Sequence, residues 1–407
     1  MKNNEQDQEP KKLKIGFFID TFFPMVDGVI MVVDNYARRL CNIADVTIFT
    51  TKTRKKHDDS KLPYKVVRCN MFPVYGLDYD LPLPRLSGKF KKTLKNSNLD
   101  IVHIHSPFGI GKMGVKYAKK HNIPVVATMH SQYKKDFLKE THNWKWLSNV
   151  LLGKVMKVFN ACDECWAVNS NVAKIYHEEY GANSLPYVHN NGTDLKNIQD
   201  TSFKDELREK YKIEKDEKVF LFVGRLTVLK NILFIVRSLK LVKDMGMKFK
   251  MLFVGSGPDE QQLKNLIKEL KLKNEVKLLG KITNREIMAK LYSLSDLFLF
   301  PSLYDCSSLV QIEAASQKTP TLFLEEAATA DAVNHNFNGY LSSNSEESYA
   351  NTIMDIFSDT KKYKEVCNKA FDDLYLSWDD AVNIALKDYY RLIESKQKSN
   401  NQISNEK

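Results

Sequence analysis

The feature that most constrains this chain is an alternation that runs twice. Short, almost wholly apolar runs ("LKIGFFID", "ADVTIFTT", "LDIVHIHSP", "IPVVATMH") are separated by amphipathic stretches such as "MGVKYAKKHN". Strands without a polar face must be covered on both sides, and the intervening helices do the covering, so the pattern predicts a parallel α/β sheet. The alternation stops in the polar stretch "TDLKNIQDTSFKDELREKYKIEKDEK" and then restarts with "KVFLFVGR", "FKMLFVGSG", "VKLLGKI", "DLFLFPS" and "TPTLFLE" as strands. One hydrophobic core seldom serves 407 residues, so two doubly wound domains are expected. They are placed at 13–197 and 198–372, with a helix over 373–395 and polar, disordered tails at 1–12 and 396–407. Tandem domains of this kind bind ligands at the C-terminal ends of their strands, here across a cleft between the two sheets.

Composition narrows the function class. The net charge is +11, which favours anionic partners, yet the lysines are spread over many helices and no nucleic-acid signature is present. No apolar run reaches the ~20 residues of a membrane span, and the first residues carry no apolar signal core, so a cytoplasmic location is expected. The six cysteines make no disulfide framework. Cys162 and Cys165 form a lone C-x-x-C without a second pair or a histidine cluster, and are read as structural; no metal is expected.

Candidate chemistry collects at strand ends of the second domain. Arg225 leaves one strand and Lys230 follows at a helix start, a fork and a point charge that suit a diphosphate. Gly255 and Gly257 form a tight turn where backbone can approach a ligand. "SLYDCSSLVQIEAAS" sets Asp305 and Glu313 seven residues apart, on either side of a helix start. Ser307, Ser308 and Leu309 can turn backbone N–H groups to an anion, one of the two carboxylates can accept from sugar hydroxyls, and the other can take a ribose diol. The plainer alternative is an N-cap at Asp305 and a Glu313 paired with Lys or Arg. In the first domain Gly28 precedes a helix and can bring amides to a phosphate. His105 and His130 stand at neighbouring strand ends, where either a structural or a catalytic role is open.

Taken in order, the Gly28 loop, "HSPFG", "ATMHSQY", "NNGTD", "FVGRLTVLKN", "VGSGP" and "FPSLYDCSSLVQIEA" resemble the family 4 glycosyltransferases of the GT-B fold, over about residues 13–392. The resemblance implies two Rossmann-like domains facing across a cleft, with a C-terminal helix crossing back to the first. It also implies retaining transfer of a hexosyl or N-acetylhexosaminyl unit from a nucleotide-sugar, UDP-linked, without a metal or other cofactor. Carried across, Arg225, Lys230 and Gly28 hold the diphosphate, Glu313 the ribose, Asp305 the sugar hydroxyls, and Lys281 and Ile282 the base. His130 lies by the reacting sugar, bonding its 6-hydroxyl or supporting charge at the anomeric carbon. The catalytic set is then His130, Asp305, Arg225 and Lys230, with His105, Gln132 and Tyr133 on the acceptor side. Both acids serve donor binding, so a front-face departure is favoured, in which the diphosphate takes the acceptor's proton. The chain departs from the family pattern at Asp305, where Glu is usual, at Cys306-Ser307-Ser308, where glycines are usual, and at Glu326 and Ala327 in place of a glycine loop.

The implied acceptor is lipid-linked or a glycan, as in cell-envelope or polysaccharide synthesis. The basic segment 131–159, with Trp144, Trp146, Leu151, Leu152 and Val155 interleaved, is read either as an anionic membrane contact or as helices packed into the first domain. A peripheral position on the inner membrane face goes with the first reading. A non-catalytic sugar-nucleotide-binding partner, and a phosphorylase or epimerase on the same fold, are the competing function classes.

Overall fold

The computed structural model describes residues 12–25, 27–55, 57–73 and 80–405. The chain divides into two compact units, Met1–His189 with Asp379–Lys407, and Asn190–Trp378. The disordered tail expected at the N-terminus lies outside the described residues.

The first unit is built on β1 (Leu13–Phe18), β2 (Ala44–Thr51), β3 (Lys65–Phe72), β4 (Leu81–Leu83), β5 (Ile101–Ile104), β6 (Val125–Met129), β7 (Glu164–Ala167) and β8 (Tyr187–Val188). They form one sheet in the order β4-β3-β2-β1-β5-β6-β7-β8. All neighbours are parallel except β3 and β4. The short edge strands β4 and β8 each lie at a proline, Pro82 and Pro186, which strand edges tolerate. The central strands β5 and β6 are buried along their whole length, as sheets with helices on both faces require.

The second unit holds β9 (Lys218–Val223), β10 (Phe249–Val254), β11 (Val276–Leu278), β12 (Leu297–Leu299), β13 (Thr321–Leu324) and β14 (Tyr340–Ser342). Their order is β11-β10-β9-β12-β13-β14, all parallel. The order doubles back at β9, where β10 lies on one side and β12 on the other. That is the switch point at which such sheets place ligands, outside the strands' C-terminal ends.

Two boundaries differ from those the sequence suggests. The stretch from Asn190 belongs to the second unit and is no linker. Asn197 Nδ2 donates to Ser316 O at 2.9 Å, Ile198 N to Gln317 Oε1 at 3.0 Å, and Gln317 Nε2 to Lys196 O at 2.8 Å. The unit also runs on to Trp378, because Thr193 N donates to Leu376 O at 2.9 Å. At the other end, one helix spans Trp378–Asn405, so 396–405 is helical where a disordered tail was expected. Its polar residues have partners a sequence cannot show: Arg391 forks onto Glu164 at 2.8 and 2.9 Å, Lys396 meets Asp163 at 2.7 Å, and Asn400 accepts from Asn122. Helix residues from Asp379 onward rejoin the first unit.

Candidate active site

In the second unit the switch point gathers the predicted cations and acids. β9 ends at Val223, and a single 3₁₀ turn, Val228–Lys230, precedes the helix Ile232–Asp244. That turn is held by Asp259, whose carboxylate accepts from Val228 N at 2.8 Å. Asn231 then takes a left-handed conformation, φ 55°, and its amide donates to Pro301 O at 2.8 Å, tying the turn to the segment after β12. Lys230 is thereby delivered to Asp305: its ammonium forms a charge-assisted hydrogen bond to Oδ1 and stands 5.7 Å over the Phe300 ring. Arg225 is exposed just beyond the strand end.

The glycines of "VGSG" answer first to backbone packing. Gly255 has φ +137°, and a Cβ there would lie 1.8 Å from Gly224 O; a Cβ on Gly257 would lie 2.2 Å from Leu226 O. Both glycines admit the backbone that carries Arg225. At both positions the backbone comes too close for any side chain.

The helix Leu309–Ser316 opens with Ser308 as its N-cap, the hydroxyl accepting from Gln311 N at 3.1 Å. Asp305 is therefore not the cap, and its carboxylate goes to Lys230. The first amides of a helix lack an intrahelical acceptor, so those at Leu309 and Val310 are of the kind that suits an anion. Ser307 accepts from Asn191 Nδ2 at 2.9 Å. Glu313 is 8% exposed and both of its oxygens are engaged: Oε1 accepts from Arg285 Nη1 at 2.6 Å and Oε2 from the Tyr292 hydroxyl at 2.9 Å. The plainer expectation, Glu313 paired with a basic residue, is thus realised. It does not remove a ligand role, because each carboxylate oxygen has two lone pairs and one of each is left for a diol. Burial and the adjoining Glu313 push the Tyr292 hydroxyl well up, so it stays a donor. Lys281 is exposed, and Ile282 packs half-buried against the core beyond Gly280.

In the first unit Gly28 begins the helix Gly28–Leu40, capped by Asp27, which accepts from Ile30 N at 2.8 Å. A Cβ on Gly28 would meet nothing within 4 Å, so packing does not call for glycine there. His130 follows β6, and its Nε2 lies 3.0 Å from His105 Nδ1. Burial holds His130 down to about 3 and His105 well below the usual imidazole range, so both rings are neutral at pH 7.

The three residues expected on the acceptor side are buried within the first unit. His105, Gln132 and Tyr133 are 3%, 4% and 8% exposed, and Tyr133 stacks with Phe137 and meets Phe108 and Phe159 edge-on or tilted. Gln132 is the N-cap of the helix Tyr133–Glu140. Segment 131–159 divides: Leu152 and Val155 are buried in the helix Lys145–Phe159, while Trp144 and Trp146 are 70% and 75% exposed.

Four residues were missed. Arg285 and Tyr292 lie in what reads as an ordinary amphipathic helix, Asn191 in a polar loop, and Asp259 after a turn; none carries a local signal for its partner. Among the described residues no group of three or more His, Cys, Asp or Glu side chains could hold a metal ion. None of the described helices is long and apolar enough to cross a membrane.

Comparisons with known proteins agree on one class. Residues 26–197 match the model for Glycosyltransferase Family 4, and residues 203–373 that for Glycosyl transferases group 1. An alpha-monoglucosyldiacylglycerol synthase of Acholeplasma laidlawii is 25% identical over 403 residues, 91% of this chain and 98% of that protein. Sucrose-phosphate synthase from Thermosynechococcus elongatus has a similar structure, with TM-score 0.77 and 17% identity over 94% of this chain and 100% of the other. An Anabaena protein solved with UDP and glucose aligns with TM-score 0.70 and 19% identity, over 93% and 99% of the two chains.

Proposed function

We propose, from the premise that this chain belongs to the family 4 glycosyltransferases of GT-B fold, that it moves a hexosyl unit from a UDP-sugar to a lipid acceptor with retention of configuration. The observation that carries the donor half is the Lys230–Asp305 contact beside a helix start whose next turn presents Glu313. An ammonium has three donors, and Asp305 takes one, leaving two for a diphosphate. Arg225 adds a second cation on the same strand end. The Leu309 and Val310 amides favour the same charge, so diphosphate departure is neutralised by the protein's own groups and needs no metal. Glu313, pre-oriented by Arg285 and Tyr292, accepts from the ribose diol, and Asp305 orients the sugar hydroxyls. In the transfer step the bond from the anomeric carbon to the diphosphate oxygen breaks. The acceptor oxygen bonds to the same face, and its proton passes to the departing diphosphate.

The acceptor half rests on Trp144 and Trp146, both exposed, in a segment that also carries Lys134, Lys135, Lys139 and Lys145, a composition suited to the boundary of an anionic bilayer. The relative named for diacylglycerol agrees with a lipid substrate. On this reading the enzyme works peripherally on the cytoplasmic membrane face.

The test is a thermal-shift screen of UDP-, GDP- and ADP-sugars followed by transfer of labelled sugar into diacylglycerol vesicles. A donor at 100 times its Kd should stabilise the protein by about 2.7 kcal/mol. Stabilisation by a UDP-sugar with labelled lipid product is expected. No response to any UDP-sugar, or binding with neither transfer nor hydrolysis, overturns the proposal, the latter in favour of a non-catalytic partner. An inverted anomeric product overturns the front-face step.

A further inference from the structure

Behind His130 lies a set of rings that donor binding does not use. His103, on β5, is fully buried, with Nδ1 at 2.5 Å from the Tyr389 hydroxyl and Nε2 at 2.7 Å from Thr128 Oγ1. A phenol donates readily, so Tyr389 gives its proton to Nδ1 and His103 donates through Nε2 to Thr128. His103 is thereby complete. His105 lies against it, ring centroids 4.0 Å apart, and is closed in by Phe17 at 5.3 Å and Tyr36 at 6.5 Å. Its Nδ1 faces His130 Nε2 at 3.0 Å, and its Nε2 is buried without any hydrogen-bond partner.

A neutral imidazole carries one N–H, so the shared edge allows two arrangements. If His130 donated, His105 would have to carry its own proton on Nε2, an N–H buried among aromatic rings with no acceptor. Orphaned buried N–H groups are rarer in proteins than under-satisfied acceptors. If His105 donates through Nδ1, its Nε2 is a bare lone pair and no proton is stranded. His130 Nε2 is then an acceptor, and its one proton must sit on Nδ1.

We propose that His105 is a positioning residue that fixes His130 as the Nδ1–H tautomer, so that His130 meets its ligand as a neutral hydrogen-bond donor and not as a base. The same donor explains the ring's orientation, since His105 is itself held against the tilted His103 ring, and His103 by Tyr389 on the C-terminal helix. Of the two roles that the resemblance leaves to His130, this selects the hydrogen bond to a sugar oxygen. Burial, which keeps the three rings uncharged, is consistent with that choice.

The ligand's identity rests on the function proposed above, but the tautomer does not, and the experiment separates them. Full-length protein labelled with 15N-histidine is examined without any ligand by long-range 1H–15N NMR at pH 7.5, the nine histidines being assigned through His130→Gln and His105→Asn. The expected spectrum has His130 protonated at Nδ1 only. His130 protonated at Nε2, or present as imidazolium, overturns the proposal whatever the enzyme does.

The second arm is kinetic. His105→Leu should lower kcat about 10–100-fold with the donor KM changed less than about threefold, and should give mixed tautomers at His130. His105→Asn, whose amide nitrogen stands near the place of Nδ1, should recover activity to within about fivefold. A His105→Leu protein with unaltered tautomer and unaltered kcat overturns the proposal. If no donor is turned over at all, the function fails while the tautomer measurement still decides this inference.

Discussion

Replacing Asp305 by Asn separates two jobs that one carboxylate performs. In the free protein Asp305 anchors Lys230; with donor bound it would also orient the sugar. The pair is partly shielded, the side chains being 21% and 17% exposed. A hydrogen bond between charged groups is worth about 1.5–3 kcal/mol, and this exposure argues for the lower end, about 1.5 kcal/mol. Asn keeps an acceptor oxygen at the same reach but removes a negative charge beside the diphosphate position. The lost anchoring and the lost repulsion oppose each other, so UDP affinity measured by calorimetry should change by less than about threefold. Transfer from the UDP-sugar should fall about 100-fold, because the neutral amide is a weaker acceptor for sugar hydroxyls and presents a donor where they donate. Lys230→Met is the counterpart and should weaken UDP itself by about 10–100-fold. If Asp305→Asn weakens UDP binding as much as it slows transfer, Asp305 acts only through Lys230 and its sugar role is wrong.

Tyr292→Phe removes one of the two donors on buried Glu313 and should weaken UDP by about tenfold, while Arg285→Gln, at a half-exposed partner, should cost less; the reverse order in a binding titration would contradict the pre-orientation of Glu313. Trp144→Ala with Trp146→Ala should reduce co-sedimentation with anionic vesicles at least about tenfold and leave UDP binding unchanged, and equal loss of both would point to misfolding. Burial depresses His103 and His105 below the unfolded range and takes His189 down to about 4. The unfolded chain therefore takes up protons first as the pH falls below about 6.5, and stability is fully present above that and lost below it. Urea unfolding at pH 7.5 and 5.5 should show the fall, up to about 1.4 kcal/mol per pH unit for each such ring, and a flat or opposite trend would refute it.

Much of this was legible in the chain. Apolar runs with helical spacers announce parallel sheets because a strand covered on both faces has no polar side to show, and β5, β6 and β10 are buried end to end. The position of Lys230 and Asp305 at strand ends is likewise a matter of counting from those runs. Glu313 was found by its spacing, but its partners were not: Arg285 is 28 residues away and Tyr292 is 21. The tail beyond 395 failed for the same reason, since Asp163 and Asn122 supply its contacts from far upstream. The ring contacts that enclose Tyr133 were equally out of sight.

By itself the sequence determined the number of sheets, the parallel pairing of their central strands and which strand ends would carry charge, because period and burial are properties of consecutive residues. Tertiary structure alone decided what each charged or polar group touches: that Gly255 and Gly257 make room for backbone, that Ser308 caps where Asp305 might have, and that His105 stands behind His130 with one nitrogen unpartnered. The longer of these contacts, His105 to His130 and Arg285 to Glu313, join residues 25 and 28 positions apart. Their geometry exists only once the sheet has brought its strand ends together.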